Sequence, residues 1–307
     1  MKHKKPSYLN LLKSGELSRR VGRAFAALKD CKLCPRACGV NRLKDERGFC
    51  RIGKIVGVAS ANLHHGEEPP ISGTRGSGTI FFTGCNLRCH FCQNYPLSQM
   101  GHGQVSPPHL LAEKMLALQK RGAHNVNLVT PSHVVPQFLA ALVIAAKQGF
   151  ALPIVYNSSG YEGMEALRLL DGVVDIYMPD IKYATVDAAA RCSDAPDYWE
   201  HVRPAIREMY RQVGALVVDD DGIGVRGMLI RHLVLPGLLD SPEKVFEFVA
   251  TEISREVPVN LMSQYFPADR AVGDPLLGRP ITRAEFAEAK AALHTWGLDE
   301  GWIQEMA

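Results

Sequence analysis

Residues 79–92 read Thr79-Ile80-Phe81-Phe82-Thr83-Gly84-Cys85-Asn86-Leu87-Arg88-Cys89-His90-Phe91-Cys92. The first four residues are β-branched or aromatic, which predicts a short buried strand. Three cysteines follow at once, with three and then two residues between them. The sequence therefore predicts a strand that ends in a tight loop carrying three thiols.

Three thiols on one loop suit a cubane iron-sulfur cluster. Such a cluster normally takes four cysteine ligands, so three would leave one iron open for chemistry. The alternatives are a set of reduced, buried thiols or a zinc site with His90 as the fourth ligand. Structural zinc requires a closed shell of four ligands. Since His90 directly follows Cys89, we expect it to point away from a metal held by Cys89, which favours the iron-sulfur cluster.

Length and charge exclude several classes of protein. A chain of 307 residues is long enough for one α/β barrel with a small extra domain. The 35 basic and 32 acidic side chains leave a net charge of +3, which is too balanced to indicate a nucleic-acid partner. The sequence has no apolar stretch of membrane-spanning length and no signal-peptide core. We therefore expect a cytoplasmic protein without a nucleic-acid or membrane partner.

From Gly78 onward, strand patterns alternate with helical patterns, which is typical of a parallel sheet built from βα units. The predicted strands are 79–83, 126–130, 153–157, 174–178, 228–235 and 259–264. The sequence thus predicts an α/β fold, a partial (β/α)6 TIM-like barrel, over residues 73–270. A helical, cysteine-rich N-terminal extension is expected at 1–72, and a C-terminal helical extension at 271–307.

A second cysteine set lies in the N-terminal extension. It has a CxxCxxxC pattern followed by a fourth cysteine after eleven residues, and it consists of Cys31, Cys34, Cys38 and Cys50. In a chain without a secretion signal, this spacing favours a metal over disulfides. The four ligands could close a zinc site or hold a second 4Fe-4S cluster, and the spacing does not distinguish them. The eighth cysteine, Cys192, stands alone and is interpreted as an ordinary thiol.

In an α/β barrel, functional side chains follow the carboxyl ends of the strands. That rule selects polar residues after five of the predicted strands: Thr130, Ser132 and His133, then Asn157, then Asp180 and Lys182, then Arg231, and finally Gln264. His64, His65, Glu67 and Glu68 precede the first predicted strand and are weaker candidates. They could bind a metal or act as acids and bases, but a loop packed over the barrel entrance accounts for them better.

The three-cysteine loop resembles the radical S-adenosylmethionine (SAM) superfamily. Within that superfamily, the chain is similar to the pyruvate formate-lyase activating enzyme group. The similarity rests on residues 76–82, 92–95, 127–131, 175–182 and 231–237, which read GSGTIFF, CQNY, NLVTP, DIYMPDIK and RHLVLPG. It implies a 4Fe-4S cluster that reductively cleaves SAM to methionine and a 5'-deoxyadenosyl radical. An electron donor such as flavodoxin or ferredoxin is implied as well.

The resemblance also implies roles for individual residues. Cys85, Cys89 and Cys92 would hold the cluster, and the backbone of Phe91 and Gln93 would flank the adenine of SAM. Asp180, Lys182 and Arg231 match positions near the methionyl or ribose groups, which suits their charges. The alternative is an internal ion pair of Asp180 with Lys182 or Arg231 at the barrel mouth.

The sequence departs from the activase pattern after the second predicted strand. Activases carry Gly-Gly-Glu there, and its acid helps to bind the amino group of SAM, whereas this chain has Thr130-Pro131-Ser132-His133. Hydroxyls of Thr130 and Ser132 could accept hydrogen bonds from the ammonium group, without charge assistance. His133 could face the substrate, or it could be a helix cap or surface residue.

The sequence is compatible with two classes of function. The first is a radical SAM enzyme that abstracts hydrogen from a glycyl residue of a partner enzyme or from a small molecule. The second is a non-enzymatic iron-sulfur protein that transfers electrons or carries clusters. The second class does not require βα units with polar groups at their strand ends, so the sequence favours the enzyme.

Overall fold

A mostly parallel sheet forms the centre of the fold in a computed structural model that describes residues 5–306. Its strands are β1 (Val56–His64), β2 (Ser77–Phe82), β3 (Gln104–Ser106), β4 (Val126–Val129), β5 (Ile154–Ser158), β6 (Ile176–Pro179), β7 (Val217–Val218), β8 (Gly224–Met228), β9 (Ile230–Leu233), β10 (Val259–Met262) and β11 (Gly301–Ile303). Eight strands lie in the order β3-β1-β2-β4-β5-β6-β8-β7, and three lie in the order β11-β10-β9.

Helices follow most of the parallel strands and cover them. They are α1 (Tyr8–Lys13), α2 (Glu16–Ala26), α3 (Pro69–Ser72), α4 (Tyr95–Ser98), α5 (Pro108–Lys120), α6 (Val135–Lys147), α7 (Met164–Leu170), α8 (Val186–Ser193), α9 (Tyr198–Val213), α10 (Pro242–Phe248) and α11 (Arg283–Thr295). A π-helical turn, Val249–Ile253, continues α10. Within residues 5–306, no helix is long and apolar enough to cross a membrane.

The six predicted strands are all present, and the predicted fold class is confirmed. β2, β4, β5 and β6 pair in parallel, as do β9 and β10. A single parallel bridge between Asp180 and Arg231 joins the two sheets. The strand predicted at 228–235 is two strands in the structure. β8 ends at Met228 and pairs with the beginning of β6, and β9 starts at Ile230, after a break at Leu229. Together these strands form a partial barrel.

β1 was not among the strands predicted from the sequence, and it pairs antiparallel with β2 along most of its length. The strand reads VGVASANLH, and its Gly, Ala, Ser and Asn residues have low strand propensity. Pairing with β2 decides its conformation. β1 comes from the segment that the sequence analysis assigned to the N-terminal extension, and it ends at His64, beside the candidate residues Glu67 and Glu68.

Helix α1 covers the end of the barrel where the parallel strands begin. The buried Tyr8 hydroxyl donates to the carbonyl oxygen of Leu152, just before β5, at 3.0 Å. The backbone N–H of Ser7 donates to Asp175, just before β6, at 3.2 Å. Both contacts close the end opposite the polar strand termini, so the open end is the one that carries the candidate residues.

Candidate active site

A cavity of about 520 Å³ lies at the carboxyl ends of the parallel strands. Its wall contains the three thiols of the first cysteine loop and most of the residues selected from the sequence. They are Cys85, Cys89, Cys92, Phe91, Gln93, Thr130, Asn157, Asp180, Lys182 and Arg231. Residues separated by more than a hundred positions therefore meet at one site, because parallel strands end at the same edge of a sheet.

The thiol loop is ordered by hydrogen bonds to sulfur. The backbone N–H groups of Leu87 and Arg88 each donate to Cys85 Sγ at 3.3 Å. Cys92 Sγ lies 3.2 Å from the hydroxyl oxygen of Ser98, in α4. Donors of this kind stabilise a thiolate and set the potential of a cluster that it binds.

Burial keeps these thiols protonated unless a metal compensates their charge. It raises the pKa of Cys85 to about 12, with a further contribution from the nearby Cys89. The pKa of Cys92 is raised by the same two causes in the same order. Metals bind the thiolate form, so a metal would supply the positive charge that the buried thiols need. The donor set thus fits an iron-sulfur cluster.

The spacing of the thiols bears on the kind of metal group. Within the part of the chain that the structure describes, no three His, Cys, Asp or Glu side chains stand as close as the ligands of one bare ion. A single ion would require the thiols to turn inward by rotation about their Cα–Cβ bonds. A cubane distributes its thiolates over different irons.

Asp180 and Lys182 form an ion pair at the end of β6. Lys182 Nζ lies 2.5 Å from Asp180 Oδ2, and both side chains are only partly exposed. Burial alone would lower the pKa of Lys182, but the Asp180 carboxylate outweighs it, so the pKa is raised. Lys182 is therefore a fixed cation beside the cysteine loop, and the ion-pair alternative is what the structure displays for these two residues.

Arg231 is bound by two carboxylates from the segment between β1 and α3. Its Nε donates to Glu68 Oε1 at 2.6 Å and its Nη2 to Glu68 Oε2 at 2.5 Å, and Nη2 also donates to Glu67. The amide of Asn260 adds a 2.6 Å bond to Glu68 Oε1. Burial acts to raise the pKa of Glu68, but the Arg231 charge dominates and lowers it. Arg231 therefore reaches the cavity as part of an ion-pair network.

Aromatic and amide contacts hold the segment that carries the last cysteine of the loop. The Phe91 ring lies against Tyr183 and Tyr265, with ring centroids 6.4 and 5.7 Å away. Gln93 Nε2 donates to the carbonyl oxygen of Gln264 at 2.9 Å, which ties the loop to the residues beyond β10. Both contacts keep the backbone of Phe91 and Gln93 at the cavity wall.

Two residues of the Thr-Pro-Ser-His segment do not reach the cavity. The Ser132 hydroxyl is fully buried and donates to Glu162, and Ser132 does not line the cavity, so it is not positioned for the predicted contact with SAM there. His133 is 1% exposed, and its Nε2 lies 2.8 Å from the carbonyl oxygen of Thr83. His133 therefore neither faces this cavity nor lies on the surface, and it is not the cap of the following helix, whose N-cap residue is Val134. Thr130, at φ 55°, does line the cavity.

The candidates that precede the first predicted strand, His64, His65, Glu67 and Glu68, do not form one cluster in the structure. Glu67 and Glu68 bind Arg231, and His64 Nδ1 lies 3.2 Å from Glu67 Oε1. His64 belongs to β1 and lines the cavity together with both glutamates, so the expectation of a covering loop is wrong for His64. Glu67 and Glu68 were weak candidates in the sequence, and in the structure they are the ion-pair partners of Arg231, a stronger candidate.

Three cavity residues were not selected as cofactor residues from the sequence. Ser159 Oγ, Asn260 Oδ1 and Gln304 Oε1 are buried at the wall and have no hydrogen-bond partner. Buried polar atoms are normally satisfied, so these three are available to a ligand. Ser159 belongs to the segment 157–160, which the strand-end rule selects after the third predicted strand, although no cofactor role was predicted for it. Asn260 lies inside β10, and Gln304 directly follows β11. No sequence motif identifies either residue as part of the site.

The second cysteine set borders a separate and smaller cavity. Its wall contains all four thiols, Cys31, Cys34, Cys38 and Cys50, together with Arg42 and His133. Cys192 is fully buried, and its carbonyl oxygen accepts from the backbone N–H of His90 at 2.8 Å. The eighth cysteine thus contacts the first loop through its backbone.

Replacing Gly84 by alanine would test how tightly the thiol loop packs against its neighbours. Its φ is +75°, and a Cβ there would lie 2.3 Å from the carbonyl oxygen of Cys50. Gly101 has a φ of +74° with nothing within 4 Å of an added Cβ. We expect Gly101→Ala to cost about 1–2 kcal/mol through φ alone. Gly84→Ala should cost more and should lower the iron content after anaerobic reconstitution, measured by denaturant unfolding and metal analysis. Equal effects of the two substitutions would refute the close contact.

Arg231→Met distinguishes a structural ion pair from a free SAM ligand. The side chains of Glu67 and Glu68 are 6% and 1% exposed, so removing the guanidinium leaves two buried carboxylates uncompensated. The expected loss of unfolding free energy is about 3–5 kcal/mol without SAM. Lys182→Met is the control and should cost less, because Asp180 is 23% exposed. Unchanged stability together with weaker SAM binding would mean that Arg231 is free to bind SAM.

Comparison with known proteins places this site in a family. The model of the radical SAM superfamily matches residues 79–249. An uncharacterised protein of Methanocaldococcus jannaschii is 33% identical over 298 residues, which cover 95% of this chain and 82% of that protein. The pyruvate formate-lyase-activating enzyme of Clostridium pasteurianum is 26% identical over 199 residues, covering 63% of this chain and 74% of that enzyme.

Among solved structures, a radical SAM methyltransferase from Sphaerobacter thermophilus aligns with a TM-score of 0.49 and 14% identity, covering 74% of this chain and 66% of that one. The family match spans β2 through α10 and includes the three-cysteine loop. The chain therefore belongs to the radical SAM superfamily, whose members are enzymes that bind a 4Fe-4S cluster and SAM.

Proposed function

We propose that Cys85, Cys89 and Cys92 hold the 4Fe-4S cluster and that the adjoining cavity binds SAM for reductive cleavage. The observation that carries this proposal is that the three thiols line the same cavity as Asp180, Lys182 and other polar strand-end residues. A cavity of about 520 Å³ falls within the range of ligand sites, about 300–1,000 Å³. When bound, the cluster supplies the electron that cleaves SAM to methionine and a 5'-deoxyadenosyl radical.

The chain's own residues would orient SAM next to the thiol loop. The backbone of Phe91 and Gln93 is held at the wall and offers a surface for the adenine. The Asp180 carboxylate can accept from ribose hydroxyls or the ammonium group while keeping its bond to Lys182. Thr130 and Asn157 line the same wall and complete the polar surface. Arg231 would act mainly by holding Glu67 and Glu68 in place.

The proposed reaction is hydrogen abstraction from a glycyl residue in a partner enzyme. Similarity to the activating enzyme of Clostridium pasteurianum supports this substrate class. The unpartnered acceptors Ser159 Oγ, Asn260 Oδ1 and Gln304 Oε1 also support it, because a peptide segment would bring N–H donors to them. Lys182 and Arg231 are already held by carboxylates, which makes them weaker sites for an anionic metabolite.

The proposal includes a low-potential electron donor of the flavodoxin or ferredoxin type. A small-molecule substrate is the second candidate, and the same acceptors could bind its hydroxyls. Family membership decides against the non-enzymatic iron-sulfur carrier that the sequence analysis kept as an alternative.

Reductive cleavage can be measured directly. Anaerobically reconstituted protein, treated with dithionite and SAM, should release 5'-deoxyadenosine. Cys85→Ala, Cys89→Ala and Cys92→Ala should each abolish the product, because each removes one of the proposed cluster ligands. Cys192→Ala is the control and should retain the product, since Cys192 is buried outside the cavity wall. Product from any of the three loop variants at the wild-type rate would refute the assignment.

Transfer of deuterium identifies the substrate. A proteome labelled with [2,2-²H]glycine, supplied as an anaerobic lysate, should give deuterated 5'-deoxyadenosine if a glycyl residue is the hydrogen donor. The fraction below about 10 kDa of a uniformly deuterated lysate is the comparison arm. Label transferred only from this fraction would contradict a protein substrate and indicate a small molecule.

A further inference from the structure

We propose that Cys31, Cys34, Cys38 and Cys50 bind a second metal centre, a tetrathiolate, whose charge is balanced by Arg42 and which holds the loop carrying Cys85 in place. The centre is distinct from the proposed SAM cluster. It lies in the N-terminal segment, outside the residues that match the superfamily.

All four thiols line one small cavity, and for a single zinc ion they would have to turn inward by rotation about their Cα–Cβ bonds. The volume of the cavity is about 10 Å³, so little solvent separates the side chains that line it. The backbone N–H of Phe49 donates to Cys38 Sγ at 3.4 Å, and a Cβ on Gly48 would lie 2.6 Å from the same sulfur. The turn before Cys50 is thus shaped around the Cys38 thiol.

Arg42 brings a buried positive charge to this cavity. The residue is 1% exposed, and its guanidinium donates to the carbonyl oxygens of Gly53 and His133 and, at 3.7 Å, to Cys31 Sγ. Its Nη2 has no hydrogen-bond partner, and among residues 5–306 no carboxylate forms an ion pair with it. A buried charge without a counter-charge is strongly unfavourable.

Thiolates bound to a metal would supply that counter-charge. Four thiolates around a divalent ion carry a net charge of about −2, and a 4Fe-4S cluster in its +2 state leaves the same charge. Four neutral thiols would supply none. Arg42, at 3.7 Å from Cys31 Sγ, therefore fits an anionic metal–thiolate centre formed by the four cysteines that line this cavity.

His133 joins this cavity to the first cysteine loop. Its Nε2 donates to the carbonyl oxygen of Thr83, two residues before Cys85, which places the lone pair of the neutral ring on Nδ1. Nδ1 is buried and has no partner, and the ring borders the thiol cavity. His133 therefore borders the proposed centre on one side and is bonded through Nε2 to the strand end before Cys85 on the other.

Further contacts attach the same N-terminal segment to the loop. Arg36, between Cys34 and Cys38, donates from Nε to the carbonyl oxygen of Asn86 at 2.9 Å and from Nη2 to that of Leu87 at 3.3 Å. The Cys50 carbonyl packs directly against Gly84. A metal that fixes the four cysteines would therefore fix both sides of the turn that presents Cys85.

Four thiolates can bind either a zinc ion or a 4Fe-4S cluster, and the metal content of the protein distinguishes the two. Anaerobically reconstituted full-length protein should contain about four irons and one zinc, or about eight irons, per chain. The triple variant Cys85→Ala, Cys89→Ala, Cys92→Ala should retain one zinc or about four irons. A triple variant that folds with wild-type circular dichroism and binds no metal would overturn the second centre. This result does not depend on whether the first site cleaves SAM.

Substitutions at the second site test its link to the first. Cys31→Ala with Cys34→Ala should lose the zinc or about four irons, and iron remaining in the first site should be removed faster by a chelator. Retention of the wild-type metal content would refute the site, and unchanged chelator resistance would refute its hold on the Cys85 loop.

Arg42→Met keeps all four cysteines and removes only the counter-charge. We expect metal in the second centre to be released to a chelator at least about tenfold faster than in the wild type, which corresponds to about 1.4 kcal/mol. Arg47→Met is the matched control, because Arg47 is exposed and pairs with Asp45. Equal release rates in the two variants would contradict the role of Arg42.

Discussion

The parallel pairing of β2, β4, β5 and β6 is the constraint on which the rest of the structure depends. It brings the ends of these strands to one edge, so the cysteine loop after β2 meets Thr130, Asn157 and Asp180. The Asp180–Arg231 bridge extends the same edge to β9 and β10. Without this register, the three thiols would lie on a loop with no adjoining cavity.

Charge balance is the second property of the site. Lys182 and Arg231 each have a carboxylate partner within the wall of the candidate site: Lys182 has Asp180, and Arg231 has Glu67 and Glu68. The polar atoms left for a ligand are instead neutral acceptors such as Asn260 Oδ1 and Gln304 Oε1. A site of this kind orients a ligand by hydrogen bonds and leaves the energetic step to the cofactor.

The N-terminal segment supports the barrel at both ends. Helix α1 closes the end where strands begin, through Tyr8 and Ser7. The cysteine-rich stretch reaches the opposite end, where Arg36 binds the backbone of the thiol loop. The orientation of the Cys85 loop therefore depends on a segment that precedes the superfamily match.

The sequence by itself determined the three-thiol loop, the six parallel strands and the strand-end positions of most cavity residues. These features follow from local patterns, namely cysteine spacing and alternating strand and helix periodicity. Only the tertiary structure decided that Arg231 is held by Glu67 and Glu68, about 160 residues away, that Ser132 turns inward to Glu162, and that β1 pairs with β2. Such pairings depend on distances between remote segments after folding, and no local pattern encodes them. The same reason explains why no sequence pattern marks Arg42, which the fold makes a buried charge beside four thiols.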